Sequence, residues 1–169
     1  SIITATWNSS ATIENAILSV ASQGYADLEH IIVDGNSSDA TLSIVFRYAN
    51  LIDKLVSEPD HGIYDAMNKG IALSTGDVIG ILNSDDFYAN PHVLDKVSRV
   101  FEDKNIDTCY GDLVYVDPIN VKRVTRYWRA GAHHPRSFYQ GWMPPHPTFF
   151  VRRSVYEKYG HFNVALGTA

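Results

Sequence analysis

Ser84-Asp85-Asp86 is the stretch of this 169-residue chain best suited to chemistry. It comes after Val78-Ile79-Gly80-Ile81-Leu82, an unbroken apolar and glycine run that predicts a strand buried on both faces, as in the middle of a parallel sheet. Such a strand delivers the residues after it to the carboxyl edge of the sheet, where open α/β folds bind ligands. Here those residues include two adjacent carboxylates, whose mutual repulsion is relieved by a cation or by hydrogen-bond donors. Oxygen ligands of this kind suit Mg²⁺ or Mn²⁺, which typically hold one or two protein carboxylates together with substrate phosphates. On these residues alone the competing reading stays open, that Asp85 and Asp86 cap the next helix or sit solvated in a turn.

Two further turns are expected on the same edge, one running from Ala5 through Trp7 to Asn8 and one from Asp34 to Asp39. None has the glycine spacing of a dinucleotide or P-loop fingerprint, so hydride transfer and ATP hydrolysis lose weight. The edge offers an aromatic and an acid instead. Trp7 can stack on a nucleobase and Asp34 can accept from a base imide N–H; core packing and an Asx-turn are their bland alternatives. The loop Glu58-Pro59-Asp60-His61-Gly62 leads into a helix on which Asp65, Asn68 and Lys69 share a face. Gly62 suits a close approach of backbone to ligand or a positive φ. A solvated helix face with one ion pair is the alternative for that trio. His133-His134 makes a poor metal pair, because adjacent residues of an extended segment point to opposite faces.

The scaffold that must hold these residues is legible in the periodicity. Strands are expected at 1–7, 29–33, 52–57 and 78–82, with helices beginning near Ser10, Thr41, Ile63 and Asn90-Pro91. Four strand–helix alternations with short connections predict a doubly wound α/β sheet with mostly parallel strands. The rhythm changes after Asp107. Residues 108–116 and 122–128 read as antiparallel strands around Asp117-Pro118, residues 130–147 as a loop rich in His, Pro and aromatics, 148–151 as a short strand and 154–159 as a short helix. The length suits a single domain. A net charge of −5 and a pI near 5.7 argue against nucleic acid as a partner. Cys109 is the one cysteine, which excludes an intramolecular disulfide and suits a reducing cytoplasm. No apolar run reaches the roughly 18 residues of a membrane span. The sequence starts inside a strand without Met and stops without a finished element, so a fragment of a longer protein is expected.

Five segments resemble inverting family-two glycosyltransferases. Ser1-Ile2-Ile3-Thr4-Ala5-Thr6-Trp7-Asn8 is similar to the opening strand of that family, and Val33-Asp34-Gly35-Asn36-Ser37-Ser38-Asp39-Ala40-Thr41 to its VDGGSTDGT-like turn. The run from Ser57-Glu58-Pro59-Asp60-His61-Gly62 to Asp65-Ala66-Met67-Asn68-Lys69-Gly70 matches a subgroup signature, and Asn83-Ser84-Asp85-Asp86 the acidic motif. Pro145-His146-Pro147-Thr148, with Tyr159-Gly160-His161-Phe162-Asn163 after it, resembles a late segment of bacterial surface-polysaccharide enzymes of the family. Together they cover nearly all of the chain, in the right order.

The resemblance implies a GT-A fold: a Rossmann-like, mostly parallel central sheet flanked by helices, with a mixed acceptor-side extension. Residues 1–169 would form one catalytic domain truncated at its C-terminus, with a nucleotide-sugar half at 1–106 and part of an acceptor half at 107–169. By the same resemblance Asp34 accepts from the nucleobase, Trp7 lies against it, Asp85 touches the ribose, and Asp86 holds Mn²⁺ or Mg²⁺ across the diphosphate. Ala5, Asp60, Gly62, Asp65, Asn68 and Ser84 join the donor site. The general base is an Asp or Glu expected beyond Ala169, with Asp112 and His146 as weak internal substitutes. The implied activity is metal-dependent, inverting transfer of a hexose-type sugar from a nucleotide-diphospho-sugar, UDP-linked first, to a glycan or lipid-linked acceptor. The expected place is the cytoplasm or the inner face of the membrane, with peripheral membrane contact and homo-oligomers left open. A sugar nucleotidyltransferase and a nucleotide-sugar-binding fragment without turnover are the rival readings.

Overall fold

The computed structural model describes residues 1–166. The alternation is realised as β1 (Ile2–Thr6), α1 (Ile13–Ala21), β2 (His30–Asp34), α2 (Thr41–Arg47), β3 (Lys54–Ser57), α3 (Ile63–Leu73), β4 (Val78–Ile81) and α4 (Val93–Val100). Next come β5 (Thr108–Cys109), β6 (Leu113–Val116), β7 (Val124–Trp128), β8 (Phe150–Arg152) and α5 (Arg153–Tyr159). The main sheet has the order β3-β2-β1-β4-β8-β5. Its first four strands are parallel, β8 runs antiparallel to β4, and β5 antiparallel to β8. All five residues of β1 and of β2 are buried, while β4, beside β1 at the middle of the sheet, is buried only at Ile79 and Gly80. The parallel part therefore ends at β4, which differs from the fully parallel surroundings its apolar run suggests.

Side chains alternate across the sheet and build a core on each face. Ile3, Ala5, Ile31, Val33 and Ile79 meet Ala66, Met67 and Ile71 of α3. On the other face Ile2, Val20, Leu82, Leu94, Phe101 and Phe150 pack together, beside a second group of Ile13, Ile17, Ile32 and Val45. Helix–sheet–helix layering of this kind leaves the carboxyl ends of β1, β2 and β4 on one open edge.

The second part of the chain departs from the expected elements in three places. The strand expected over 108–116 is split, because Gly111 leaves the sheet to bond with Thr148. Its N–H donates to Thr148 Oγ1 at 3.1 Å, and that hydroxyl donates to Gly111 O at 2.8 Å. β5 thus stays in the main sheet, while β6 pairs with β7 as a separate hairpin. Thr148 lies in a 3-10 turn (His146–Thr148), so β8 begins at Phe150. Pro91 sits in the turn before α4, whose N-cap is His92. α1 likewise starts later than Ser10, since Ser9 O takes the N–H groups of Thr12 and Ile13, both at 3.0 Å.

Close packing leads to a prediction at Gly70. A Cβ there would stand 2.3 Å from Ile3 Cγ2, and Ile3 is fully buried in the central strand. Replacing a helical glycine by alanine ordinarily gains about 1 kcal/mol. Overpacking a stiff core residue costs about 1–3 kcal/mol. The second effect wins, so Gly70→Ala lowers the unfolding free energy by about 1 kcal/mol in a denaturant titration.

His30 sets a pH dependence. It is buried beneath the sheet, with Nε2 at 3.1 Å from Thr4 Oγ1 and Nδ1 without a partner. Burial lowers its pKa to about 4, opposed in part by the nearby Asp53. Between the ordinary value of 6.5 and 4 the unfolded chain takes up a proton that the folded chain refuses. Stability therefore declines through that window as pH falls, by up to about 1.4 kcal/mol per pH unit. Unfolding of the wild type between pH 6 and 5 should show that slope, and His30→Gln should flatten it.

Candidate active site

The turns after β1, β2 and β4 are tied into one edge. Asn8, at φ +48°, adopts the left-handed conformation that asparagine tolerates better than most residues. Its Oδ1 accepts from Ser38 N at 2.9 Å and Asp39 N at 3.3 Å, and its own N–H donates to Ser37 Oγ at 2.8 Å. Ser9 Oγ and Ser84 Oγ share a hydrogen bond of 2.8 Å, which joins the first turn to the acidic motif.

Between these turns and the start of α3 lies a cleft of about 400 Å³. Of the residues expected at the site, Ala5, Trp7, Asp60, Gly62, Ser84 and Asp85 line it. Trp7 is 67% exposed, so core packing is not its role here. Gly62 has φ +107°, and its N–H donates to Asp60 Oδ1 at 2.9 Å, which curls the loop at the helix entrance. Asp60 Oδ2 would lie 2.5 Å from a Cβ on Gly35, so only glycine lets the second turn come this close to the loop. Thr6, Ser9, Ile63, Ala66 and Asn83, which the sequence does not single out, complete the lining. Thr6 Oγ1 is buried with no partner. Its place at the end of a strand between Ala5 and Trp7 is the available signal.

Four expected residues lie off the cleft wall. Asp34 is fully buried, its carboxylate accepting from Ser37 N at 3.0 Å, from Ser37 Oγ, and from Ser57 Oγ at 2.7 Å. It forms the Asx-type turn that is its alternative reading, and its full burial means that meeting a base requires the cover over it to open. Asp65 accepts from His61 N at 3.1 Å and pairs with Lys69 at 3.4 Å. These contacts hold its carboxyl below the usual range, His61 N–H first. Lys69 also pairs with Glu58 at 2.9 Å and donates to Pro59 O at 3.1 Å, so it fastens the loop to α3. Asn68 Nδ2 donates to Phe162 O and Asn68 Oδ1 accepts from Phe162 N, both at 2.9 Å. Its amide is spent on clasping the late segment to α3, beside the stacked rings of Tyr64 and Phe162.

Asp86 lies just behind Asp85. Burial, then the like charge of Asp85, pushes its carboxyl pKa up; Asn83 Nδ2, donating to Asp86 Oδ2 at 3.1 Å, and His146 offset part of this. Asn83 Nδ2 also stands 3.3 Å from His146 Nε2, which links the motif to the 3-10 turn. Asn83 Oδ1 is buried without a partner. A buried carboxylate, a second one beside it and an orphaned amide oxygen are hard oxygen donors of the kind Mg²⁺ and Mn²⁺ take. Among the described residues no group of three or more His, Cys, Asp or Glu gathers as a metal cage. The donor set therefore fits an ion that completes its shell with phosphate oxygens and water. Asp112, by contrast, accepts from Ala130 N at 2.8 Å and closes the base of the β6–β7 hairpin. The base expected beyond Ala169 lies outside the described residues.

A sequence profile of glycosyl transferase family 2 matches residues 1–160. A PGL/p-HBAD biosynthesis glycosyltransferase of Mycobacterium bovis is 32% identical over 168 residues, covering 97% of this chain and 63% of that protein. An uncharacterised glycosyltransferase of Mycobacterium tuberculosis is 29% identical over 174 residues, with 64% of it covered. Among solved structures, Staphylococcus aureus TarS in complex with UDP superposes with a TM-score of 0.77 at 21% identity, over 99% of this chain and 51% of that one. The mannosyltransferase PcManGT of Pyrobaculum calidifontis, in complex with GDP-Man and Mn²⁺, gives 0.74 at 21% identity, over 98% and 48%. The fold is thus of the GT-A type. The chain spans a little under two thirds of these curated relatives and about half of the solved chains.

The clasp gives Asn68 a structural role. Asn68→Ala strands the N–H and C=O of Phe162 and should cost about 2 kcal/mol of stability. That loss should appear as a lower unfolding midpoint in a denaturant titration. An unchanged unfolding midpoint would show that the clasp does not hold the late segment to α3.

Proposed function

The chain belongs to glycosyl transferase family 2, and from that premise we propose that it carries the donor site of a metal-dependent, inverting glycosyltransferase. The donor is a nucleotide-diphospho-sugar, a UDP-sugar first, and the acceptor a glycan or a lipid-linked saccharide of a bacterial surface polymer. The reaction takes place in the cytoplasm or at the inner face of the membrane. One observation carries the reading: the cleft joins an exposed indole to Asp60 and Asp85, and its lining contains no Lys or Arg. An anionic diphosphate enters such a cleft only with a cation.

In this reading residues 1–106 hold the donor. The Trp7 indole covers one face of the base, while Asp34, once uncovered, accepts from the base edge. Asp85 meets the ribose. Asp86, with Asn83 Oδ1 nearby, holds the divalent ion, which when bound acts as a Lewis acid toward the leaving diphosphate. Gly62 and the first N–H groups of α3 lie where backbone can approach phosphate or sugar. Residues 107–169 begin the acceptor side. Inversion needs a carboxylate that takes the proton of the attacking hydroxyl. Asp112 and His146 are already bonded to Ala130 N and Asn83, so an acid beyond Ala169 remains the better candidate. A nucleotidyltransferase is disfavoured because Asn8-Ser9-Ser10 is neither glycine-rich nor basic.

Calorimetric titration of UDP with and without Mn²⁺ tests the assignment. Binding should require the metal, and Asp86→Ala should weaken it at least tenfold, about 1.4 kcal/mol. Trp7→Ala should weaken it to a similar degree with the metal dependence kept. UDP binding indifferent to both Mn²⁺ and Asp86 would sink the reading.

A further inference from the structure

None of the 19 acidic residues falls between Asp117 and Glu157, although the chain as a whole carries −5. That stretch instead brings Lys122, Arg123, Arg126, Arg129 and Arg136, all exposed, on the β6–β7 hairpin and the loop behind it. Among the described residues only Arg123 of these five has a carboxylate partner, Asp117 at 2.8 Å. Arg126 lies over the Tyr115 ring, 5.1 Å from its centroid.

The same stretch also exposes large apolar side chains, with Tyr127 and Arg129 on the strand face opposite Arg126. Ile119 at the hairpin tip is 97% exposed, Tyr127 70%, Tyr139 92% and Met143 66%. The tip is a made turn: Asp117 Oδ1 accepts from Ile119 N and Asn120 N, both at 2.9 Å, and Asp117 N donates to Arg123 O at 2.9 Å. The loop is anchored by Trp142, whose Nε1 donates to Ala130 O at 2.7 Å and whose ring meets Phe138 and His133 at 5.4 Å. Ile119 is therefore held outward by a formed turn. A two-stranded hairpin outside the main sheet has little core of its own and gains from a surface to lie on.

Cations interleaved with exposed aliphatic and aromatic side chains match the headgroup layer of an anionic bilayer. Lys and Arg meet the phosphates, while aromatic and aliphatic groups enter the acyl boundary. A nucleic acid would use the cations but leave Ile119 and Met143 in water. We propose that the β6–β7 hairpin and the 129–143 loop dock this protein on a membrane surface rich in anionic phospholipid. This rests on the reading of a membrane-side acceptor and not on the donor chemistry. The loop runs on to His146, 3.3 Å from Asn83 beside the acidic motif, so docking brings the carboxyl edge of the sheet toward the bilayer.

The test is sedimentation of the full-length protein with vesicles of phosphatidylcholine alone and of an equimolar mixture with phosphatidylglycerol, without donor. Partitioning should be at least tenfold stronger onto the anionic vesicles and should weaken with salt. Lys122→Glu with Arg129→Glu should remove that preference. Ile119→Ser should reduce the binding that persists at high salt, and both variants should keep the wild-type unfolding midpoint and UDP affinity. Three results would overturn the proposal: no preference for anionic vesicles, variants that bind vesicles like the wild type, or variants that lower the unfolding midpoint while vesicle binding persists. The last would mean that the rest of the protein covers this face. Equally tight capture by single-stranded DNA, lost with the charge reversals but not with Ile119→Ser, would overturn it in favour of a polyanion. UDP titration of the same samples reports the donor reading separately, so either can fail alone.

Discussion

The site depends on a relay of short polar side chains across three strand ends. Asp34 holds Ser37, Ser37 Oγ receives the N–H of Asn8, and Ser9 meets Ser84 in front of the acidic pair. Each strand end would otherwise expose backbone N–H groups at an open sheet edge, where only water or ligand could satisfy them. Serine, asparagine and aspartate suit this because their short chains bond the backbone two or three residues away. The result is a floor rigid enough to keep Trp7 outside the core and the loop at Gly62 opposite it.

The carboxylates near that floor fall into two groups. Asp65 is satisfied: a backbone N–H and Lys69 lower its pKa, and it keeps α3 and its entry loop together. Asp86 is not, since burial and Asp85 raise its pKa while one amide N–H and an imidazole only partly compensate. Equal residue types thus sit in opposite environments, one carboxylate matched by a donor and a cation and the other only in part. Lys69, whose amine reaches back to the cleft-lining loop, is already shared between Glu58 and Asp65.

Local patterns in the sequence predict much of this. The apolar runs of β1 and β2, the helical period of α3 and the positive φ at Gly62 are properties of a few neighbouring residues. The acidic motif is legible too, because a strand period places it on the ligand edge. Asn68 is not, since its partner Phe162 comes 94 residues later and nothing in the helical face distinguishes a clasp from a ligand contact. Asn83 escapes notice for the same reason, as its link to His146 spans 63 residues. The break between β5 and β6 depends on Thr148, which lies far along the chain. Net charge over the whole chain also hides the basic stretch after Asp117, because opposite halves cancel in a single number.

That cancellation has a physical consequence. Residues 1–106 are acidic and line the cleft with carboxylates, so under the proposed function an anionic donor would be drawn in only through a shared cation. In that reading binding of metal and of diphosphate would be coupled, each raising the affinity for the other by the same factor. Residues 107–169 carry the opposite net charge, so the docking proposed for them would need no mediating cation. Asn83 stands at the boundary, its amide nitrogen between Asp86 and His146 and its oxygen unpartnered. The same side chain that partly satisfies the acidic motif thus also touches the 3-10 turn that leads into β8.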